Sequence, residues 1–160
     1  MAFTPFGIAP WQAGPSITGL SAGIASGGAP VTSNVFQNPV YAGFTELPFT
    51  ADIILTLGTA ETATSAGGWI AVALLKASTA SGPIETARLS NNQLFPYDGG
   101  RYGQIAIVPS AAYTATEWLT IGQLLVPASP YLAIAVFNNS SFTIPTTATW
   151  TIQFGFGGGG

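Results

Sequence analysis

No histidine and no cysteine occur in this chain of 160 residues, and its charge is confined to three Lys or Arg and six Asp or Glu. Each absence closes a class of function. Imidazole is the group that titrates near neutral pH, and thiolate is the strongest side-chain nucleophile and a soft metal ligand. Without them, Ser–His triads, Cys nucleophiles, thiolate zinc sites and disulfides are excluded. Three cations cannot neutralise a nucleic-acid backbone or hold an anionic bilayer, so neither nucleic acid nor membrane is expected as a partner. Long hydrophobic runs are also missing. The apolar run Ile70–Leu75 falls far short of the roughly 20 residues that span a bilayer. The opening MAFTPFGIAPWQAGP carries no Lys or Arg and is broken by Pro5, Pro10 and Pro15, which does not fit a secretory signal; synthesis in a cytoplasm is expected.

What is present is apolar. Hydrophobic residues make up 48% of the chain and charged residues 6%, where about a quarter is usual for a freely diffusing protein. Such a chain is suited to covering itself with copies of itself or with a partner. The composition shifts near residue 47. Residues 1–47 are rich in Gly, Pro, Ala and Ser, yet carry large apolar groups that a flexible linker avoids. They read as an extended arm whose side chains plug pockets singly, with Phe3, Phe6, Trp11, Phe36 and Tyr41 as expected inter-subunit anchors. Ordering such an arm costs backbone entropy on the order of 1 kcal/mol per residue, which contacts with neighbouring subunits would offset. The tail 157–160 is four glycines.

Residues 48–156 read as strands and turns. Strands are expected over 49–57, 69–77, 84–89, 102–108, 118–126, 131–137 and 147–156. The continuous apolar run at 69–77 fits a strand covered on both faces. Gly122 marks a bulge inside 118–126. In 147–156, Trp150, Ile152, Phe154 and Phe156 alternate with Thr149, Thr151 and Gln153, so the first set is expected to face the core. The helical period at 110–121 is countered by Thr114, Thr116 and Thr120. Short strands with turns every 8–12 residues predict an all-β, antiparallel β-sandwich of Greek-key or jelly-roll type, carrying the N-terminal arm.

Candidate chemistry is sparse. Asp98-Gly99-Gly100-Arg101, between Tyr97 and Tyr102, reads as a hairpin turn rather than a sugar-gripping tip. Glu85 and Arg88 fall on opposite faces of a strand. Asp52 with Glu46 or Glu61 lacks calcium-loop spacing, and nothing pairs two of the six acids across a cleft for glycoside cleavage. Lys76 stands in no S-x-x-K motif. Asn138-Asn139-Ser140-Ser141 holds two overlapping sequons and reads as a surface turn. Trp69, Trp118 and Trp150 lie in expected strands and read as core or interface anchors, since exposed tryptophan rows would instead suit polysaccharide. No catalytic, cofactor or metal site is expected.

The segments FTADIILTLGT, GGWIAVALLKAS, YDGGRYGQIAIVP, TEWLTIGQLLVP, PYLAIAVFNNSS and TATWTIQFGF resemble, in pattern and composition, the small β-sandwich structural proteins of tailed bacteriophages. Those are similar to capsid decoration, or cement, proteins. The resemblance implies a virion protein, a homo-oligomer expected as a trimer on the capsid surface, bridging neighbouring copies of a major capsid protein. The alternatives are a jelly-roll subunit that forms the shell itself and a carbohydrate- or receptor-binding module at a tail tip.

Overall fold

The computed structural model describes residues 12–38, 48–85, 89–90, 93–94 and 100–156. Among them the chain is all β, with two antiparallel sheets packed face to face. The first sheet runs, in order, β1 (Gln12–Ile17), β13 (Thr149–Phe156), β4 (Pro48–Thr56) and β11 (Trp118–Leu125). The second runs β2 (Val31–Thr32), β12 (Tyr131–Asn139), β6 (Gly68–Ala77) and β9 (Tyr102–Ile107), with β3 (Phe36–Gln37) also paired to β12. Two short ribbons join β5 (Glu61–Thr62) to β10 (Ala112–Tyr113) and β7 (Leu89–Ser90) to β8 (Gln93–Leu94).

Side-chain alternation sets the layers. Trp150, Ile152 and Phe154 of β13 stand opposite Leu55, Ile53 and Ala51 of β4, and all six are buried in the core. From the second sheet, Val72 and Leu74 of β6 and Ile134 and Val136 of β12 meet them. The inward direction expected for Trp150, Ile152 and Phe154 therefore holds. Thr149 and Thr151 point outward and are exposed. The run at β6 is buried on both faces, as its continuous apolar sequence requires. The segment over 110–121 contains no helix: β10, a turn and the start of β11 occupy it.

The expected boundary at 47 is corrected. Residues 12–38 do not leave the sandwich as an arm; they complete both of its sheets. β1 pairs with β13, and β2 and β3 pair with β12. Ile17, Leu20, Ile24 and Phe36 join the central core. The physical reason is that β12 and β13 each have a free side. An apolar segment on the same chain reaches it with no loss of translational freedom, so it competes well against a neighbouring subunit.

Polar groups fasten this segment. Asn138 is 1% exposed, which overturns its reading as part of a surface turn. Its Nδ2 donates to the carbonyls of Ile24 (2.7 Å) and Phe142 (2.8 Å), and its Oδ1 accepts from the amide (2.9 Å) and hydroxyl (2.6 Å) of Ser140. Ile24 and Ile144 exchange backbone hydrogen bonds beside it. At the start of β6, Gly68 has φ 137°, and a Cβ there would lie 2.2 Å from the Asn139 carbonyl oxygen. Only glycine allows β6 and the end of β12 to meet this closely.

Two outcomes follow for stability. Deleting residues 1–47 removes several core side chains, each worth about 2–5 kcal/mol on truncation, so the remainder should lose its cooperative thermal transition by circular dichroism. A remainder melting like the full chain would contradict this packing. Asn138→Ala leaves the buried Ser140 amide without its acceptor and takes one of two donors from each of the Ile24 and Phe142 carbonyls; it should lower stability by about 2 kcal/mol in urea titrations, whereas Asn139→Ala, at the half-buried neighbour, should cost less than half as much.

Candidate functional site

Phe3, Phe6, Trp11 and Tyr41 lie outside the described residues. Phe36 sits opposite Leu132 and fills the core of its own chain, so it is not available as an inter-subunit anchor. Phe156 ends β13, and its side chain is also outside the description, as are the Gly157–Gly160 tail, Tyr97, Asp98 and Gly99 of the expected hairpin turn.

The charged residues serve the fold locally. Arg88 lies outside the described residues; Glu85 binds Arg101 through Oε2–Nη1 at 2.7 Å and Oε1–Nη2 at 3.3 Å. The Lys76 amide also donates to Glu85 Oε2 at 3.1 Å. Asp52 accepts from the Gln123 amide at 2.8 Å. That bond holds Gln123 at φ 61° in a bulge of β11, where the register shifts between Ile121 and Leu124. Gly122 lets the carboxylate approach, since a Cβ there would lie 2.8 Å from Asp52 Oδ1. The bulge expected at Gly122 is present. Glu117 Oε2 accepts from the Thr114 amide and closes the turn before β11. Among the described residues no three acids, histidines or cysteines gather as a metal set. Burial pushes the Tyr102 phenol up to about 12, so it remains a donor, to Gln104 Oε1 at 2.9 Å.

The three tryptophans in strands have different fates. Trp69 packs on Phe137 with ring centroids 5.2 Å apart. Trp150 is 2% exposed in the core, and its indole Nε1 is buried without a hydrogen-bond partner. Trp118 is 69% exposed, so of its two readings, core or interface anchor, the core one does not hold. It stands on the outer face of the first sheet, in a cross-strand row with Thr56 of β4 and Thr149 of β13. The next row holds Thr120, Ile54, Thr151 and Ser16. The face is thus hydroxyl-rich, nearly flat in chemistry and almost uncharged, with Asp52 as its acid.

At one end of this face is a cleft of about 240 Å³. It is lined by the segment from Ser16 to Ser21, which leaves β1, and by Ala148 to Thr151, which enters β13. Trp150 is among its walls. None of the lining residues is charged, and five of them, Ser16, Thr18, Ser21, Thr149 and Thr151, are Ser or Thr. Alternation in the sequence already placed Thr149 and Thr151 outward. The cleft itself comes from the pairing of β1 with β13, which no local pattern announces.

Hydrogen bonding to Arg101 holds the Glu85 carboxyl below its ordinary range, with burial opposing. A carboxylate depressed in the folded state contributes stability above its unfolded pKa, and that contribution is lost as pH falls through the folded value. The pair is partly exposed, so the effect is at most about 1 kcal/mol. Glu85→Gln should therefore lower the melting temperature slightly at neutral pH and converge with the unmodified chain below pH about 4. A gap that persists unchanged in acid would show that the ion pair is not its cause.

Compared with models of protein families, with curated proteins and with solved structures, the chain finds no match.

Proposed function

We propose that this protein is a structural component of a virion, most specifically a decoration protein that binds over joints between neighbouring subunits of a phage head. It would act by surface complementarity, with no chemical step, on the outside of a particle assembled in the host cytoplasm. The observation that carries this reading is a self-sufficient apolar sandwich with almost no charge. Proteins that diffuse freely keep a charged exterior that holds copies apart. Here nine-tenths and more of the chain is uncharged, and Val108, Trp118 and Leu125 are large apolar side chains left exposed. Such a surface favours close, dry contact and offers little for salt to screen. The resemblance of its strand segments, in pattern and composition, to small phage β-sandwich proteins points the same way.

The test has two parts. Sedimentation of the purified chain should give a closed homo-oligomer, expected as a trimer, whose dissociation constant changes less than about threefold between low and high salt. Cosedimentation with phage heads assembled without this protein should then show saturable binding. A monomer that ignores such heads would overturn the proposal. Closed shells formed by the chain alone would replace it with the shell-subunit reading.

A further inference from the structure

We propose that the free edge of β9 pairs, antiparallel and about a twofold axis, with β9 of a second copy of the chain. This goes beyond the particle-stabilising role and does not depend on it.

The ladder defines the edge. β9 ends the second sheet, with β6 on its paired side. The Leu74 amide donates to the Arg101 carbonyl at 2.8 Å, so Arg101, Gly103, Ile105 and Ile107 turn their main-chain groups to β6. Those of Tyr102, Gln104 and Ala106 point away from it. No described residue hydrogen-bonds to these groups, and Gln104 and Ala106 are exposed. An open edge of this kind is a template for another strand. The edges of the first sheet carry a proline or a bulge, whereas β9 keeps a continuous register with β6 and contains neither proline nor lysine. No charged residue occurs from Tyr102 to Thr116, and Arg101 is held by Glu85 of its own chain. Nothing in the stretch repels an identical strand.

The ends of the open stretch select the occupant. Two residues before Tyr102, the Gly100 carbonyl accepts from the Leu125 amide at 2.9 Å. Two residues after Ala106, the Val108 amide donates to the Tyr113 hydroxyl at 2.8 Å. The open groups are thus those of Tyr102, Gln104 and Ala106, placed symmetrically about Gln104. A second β9 with Gln104 opposite Gln104, and Tyr102 opposite Ala106, pairs all of them, and symmetry makes each contact twice. Moving the axis to Tyr102 would need the occupied Gly100 carbonyl. Moving it to Ala106 would need the occupied Val108 amide. The side chains also fit this register, since each tyrosine ring meets a methyl group rather than a second ring.

Exposed apolar side chains gather on the same side of the sandwich. Among the described residues the large ones are Val108, Trp118 and Leu125, at 59%, 69% and 37%. Val108 directly follows β9. The neighbouring β11 runs alongside it: a Cβ on Gly100 would lie 2.9 Å from Leu125 Cδ1, and one on Gly103 would lie 2.9 Å from Ile121 Cγ2. The two strands therefore run in opposite directions, with Leu125 at one end of this edge and Trp118 toward the Val108 end. In the proposed register Val108 comes opposite Gly100 of the second copy, and so beside its Leu125. Trp118 borders the same contact. Ile105, which packs on the core from β9 but stays half-buried, gains cover as well. The contact adds a twofold joint to any assembly: it makes a dimer of a monomer, and a pair of trimers of a trimer.

The experiment follows the mass of the full chain by analytical ultracentrifugation as its concentration rises from roughly 10 μM to 1 mM, the range suited to a contact this small. The mass should double from whatever state the chain holds when dilute. Gln104→Pro removes the amide at the axis and is a change that a strand edge tolerates, so the variant should melt like the parent and stay at half its mass at the highest concentration. Ala106→Lys, at an exposed position on the same edge, should act alike and decides the matter if the proline variant does not fold. The chain has no cysteine, so single substitutions report the register directly. Residues opposite each other in a bonded antiparallel pair have Cα atoms about 5.5 Å apart, within disulfide reach. Under mild oxidation Gln104→Cys should form a covalent dimer at least about tenfold faster than Thr151→Cys, a control exposed on the outer face of the first sheet. The proposal is wrong if the mass of the parent does not double, if the folded edge variants double as the parent does, or if both cysteine variants cross-link at one rate. A trimer that never doubles overturns this contact alone, and doubling of a chain that ignores phage heads leaves it standing.

Discussion

Strands β6 and β12 run side by side for nine residue pairs, from Trp69 opposite Asn139 to Ala77 opposite Tyr131. Almost all of both strands is out of water on both faces. The rest of the molecule is arranged to make that possible. On the inward face Val72, Leu74, Ile134 and Val136 meet β4 and β13 across the core. On the other face Ala71, Ala73, Ala133 and Ala135 leave little side chain to cover, with Leu75 and Phe137 between them, and Ile84 packs beside them. An antiparallel pair usually keeps one face for solvent. Here neither face is available, so the central pair can persist only if its remaining edges and ends are closed as well.

The free edge of β12 is closed by the N-terminal segment. β2 and β3 pair with it at two places, and between them the ladder is interrupted. Ser33 fills the gap: its amide donates to the Ile134 carbonyl at 2.9 Å, and its hydroxyl accepts from the Ile134 amide at 3.0 Å. Below this, Asn38 donates to the Ser129 carbonyl, and Ser129 donates to the Ala77 carbonyl. Asn138 does the same at the other end. Each of these side chains is buried, and each satisfies a main-chain group that would otherwise cost about 1–3 kcal/mol. Polar residues are thus spent where regular pairing stops, and the apolar residues between them fill the core.

Where periodicity was long, the sequence spoke clearly. The continuous run at 69–77, the alternation through Trp150, Ile152 and Phe154, and the bulge at Gly122 are all local patterns with one physical reading. The segment 12–38 has no such length. Its strands β2 and β3 are two residues each, set among Gly, Pro and Ser, and a two-residue strand leaves no period to detect. Its spaced apolar residues read as anchors for a neighbouring subunit, whereas Ile17, Leu20, Ile24 and Phe36 fill the core of their own chain, because spacing cannot say whose pocket a side chain fills. Asn138 failed for a similar reason, since turn chemistry looks the same whether the turn is wet or buried. Trp118 was visible in principle. Thr120 two residues on, against Leu119 and Ile121, marks its side as the outward one; the usual burial of tryptophan hid this.

The edges of the first sheet decide how that sheet can meet anything else. An open strand edge invites pairing with another chain, and bulges and prolines are the common protections. Both edges here carry them. β1 contains Pro15, and its register shifts between Ala13 and Ser16. β11 is broken at Gly122 and Gln123, where Asp52 pins a left-handed residue that no regular ladder accommodates. Beyond the bulge, the Leu125 amide is already taken by the Gly100 carbonyl at 2.9 Å, next to β9 on the other sheet. Sheet extension by a second copy is therefore disfavoured on either side. Association through this sheet is left to its outer face, where threonines and Trp118 replace main-chain groups as the points of contact. A neutral surface of that kind gains little from long-range attraction and depends on close fit.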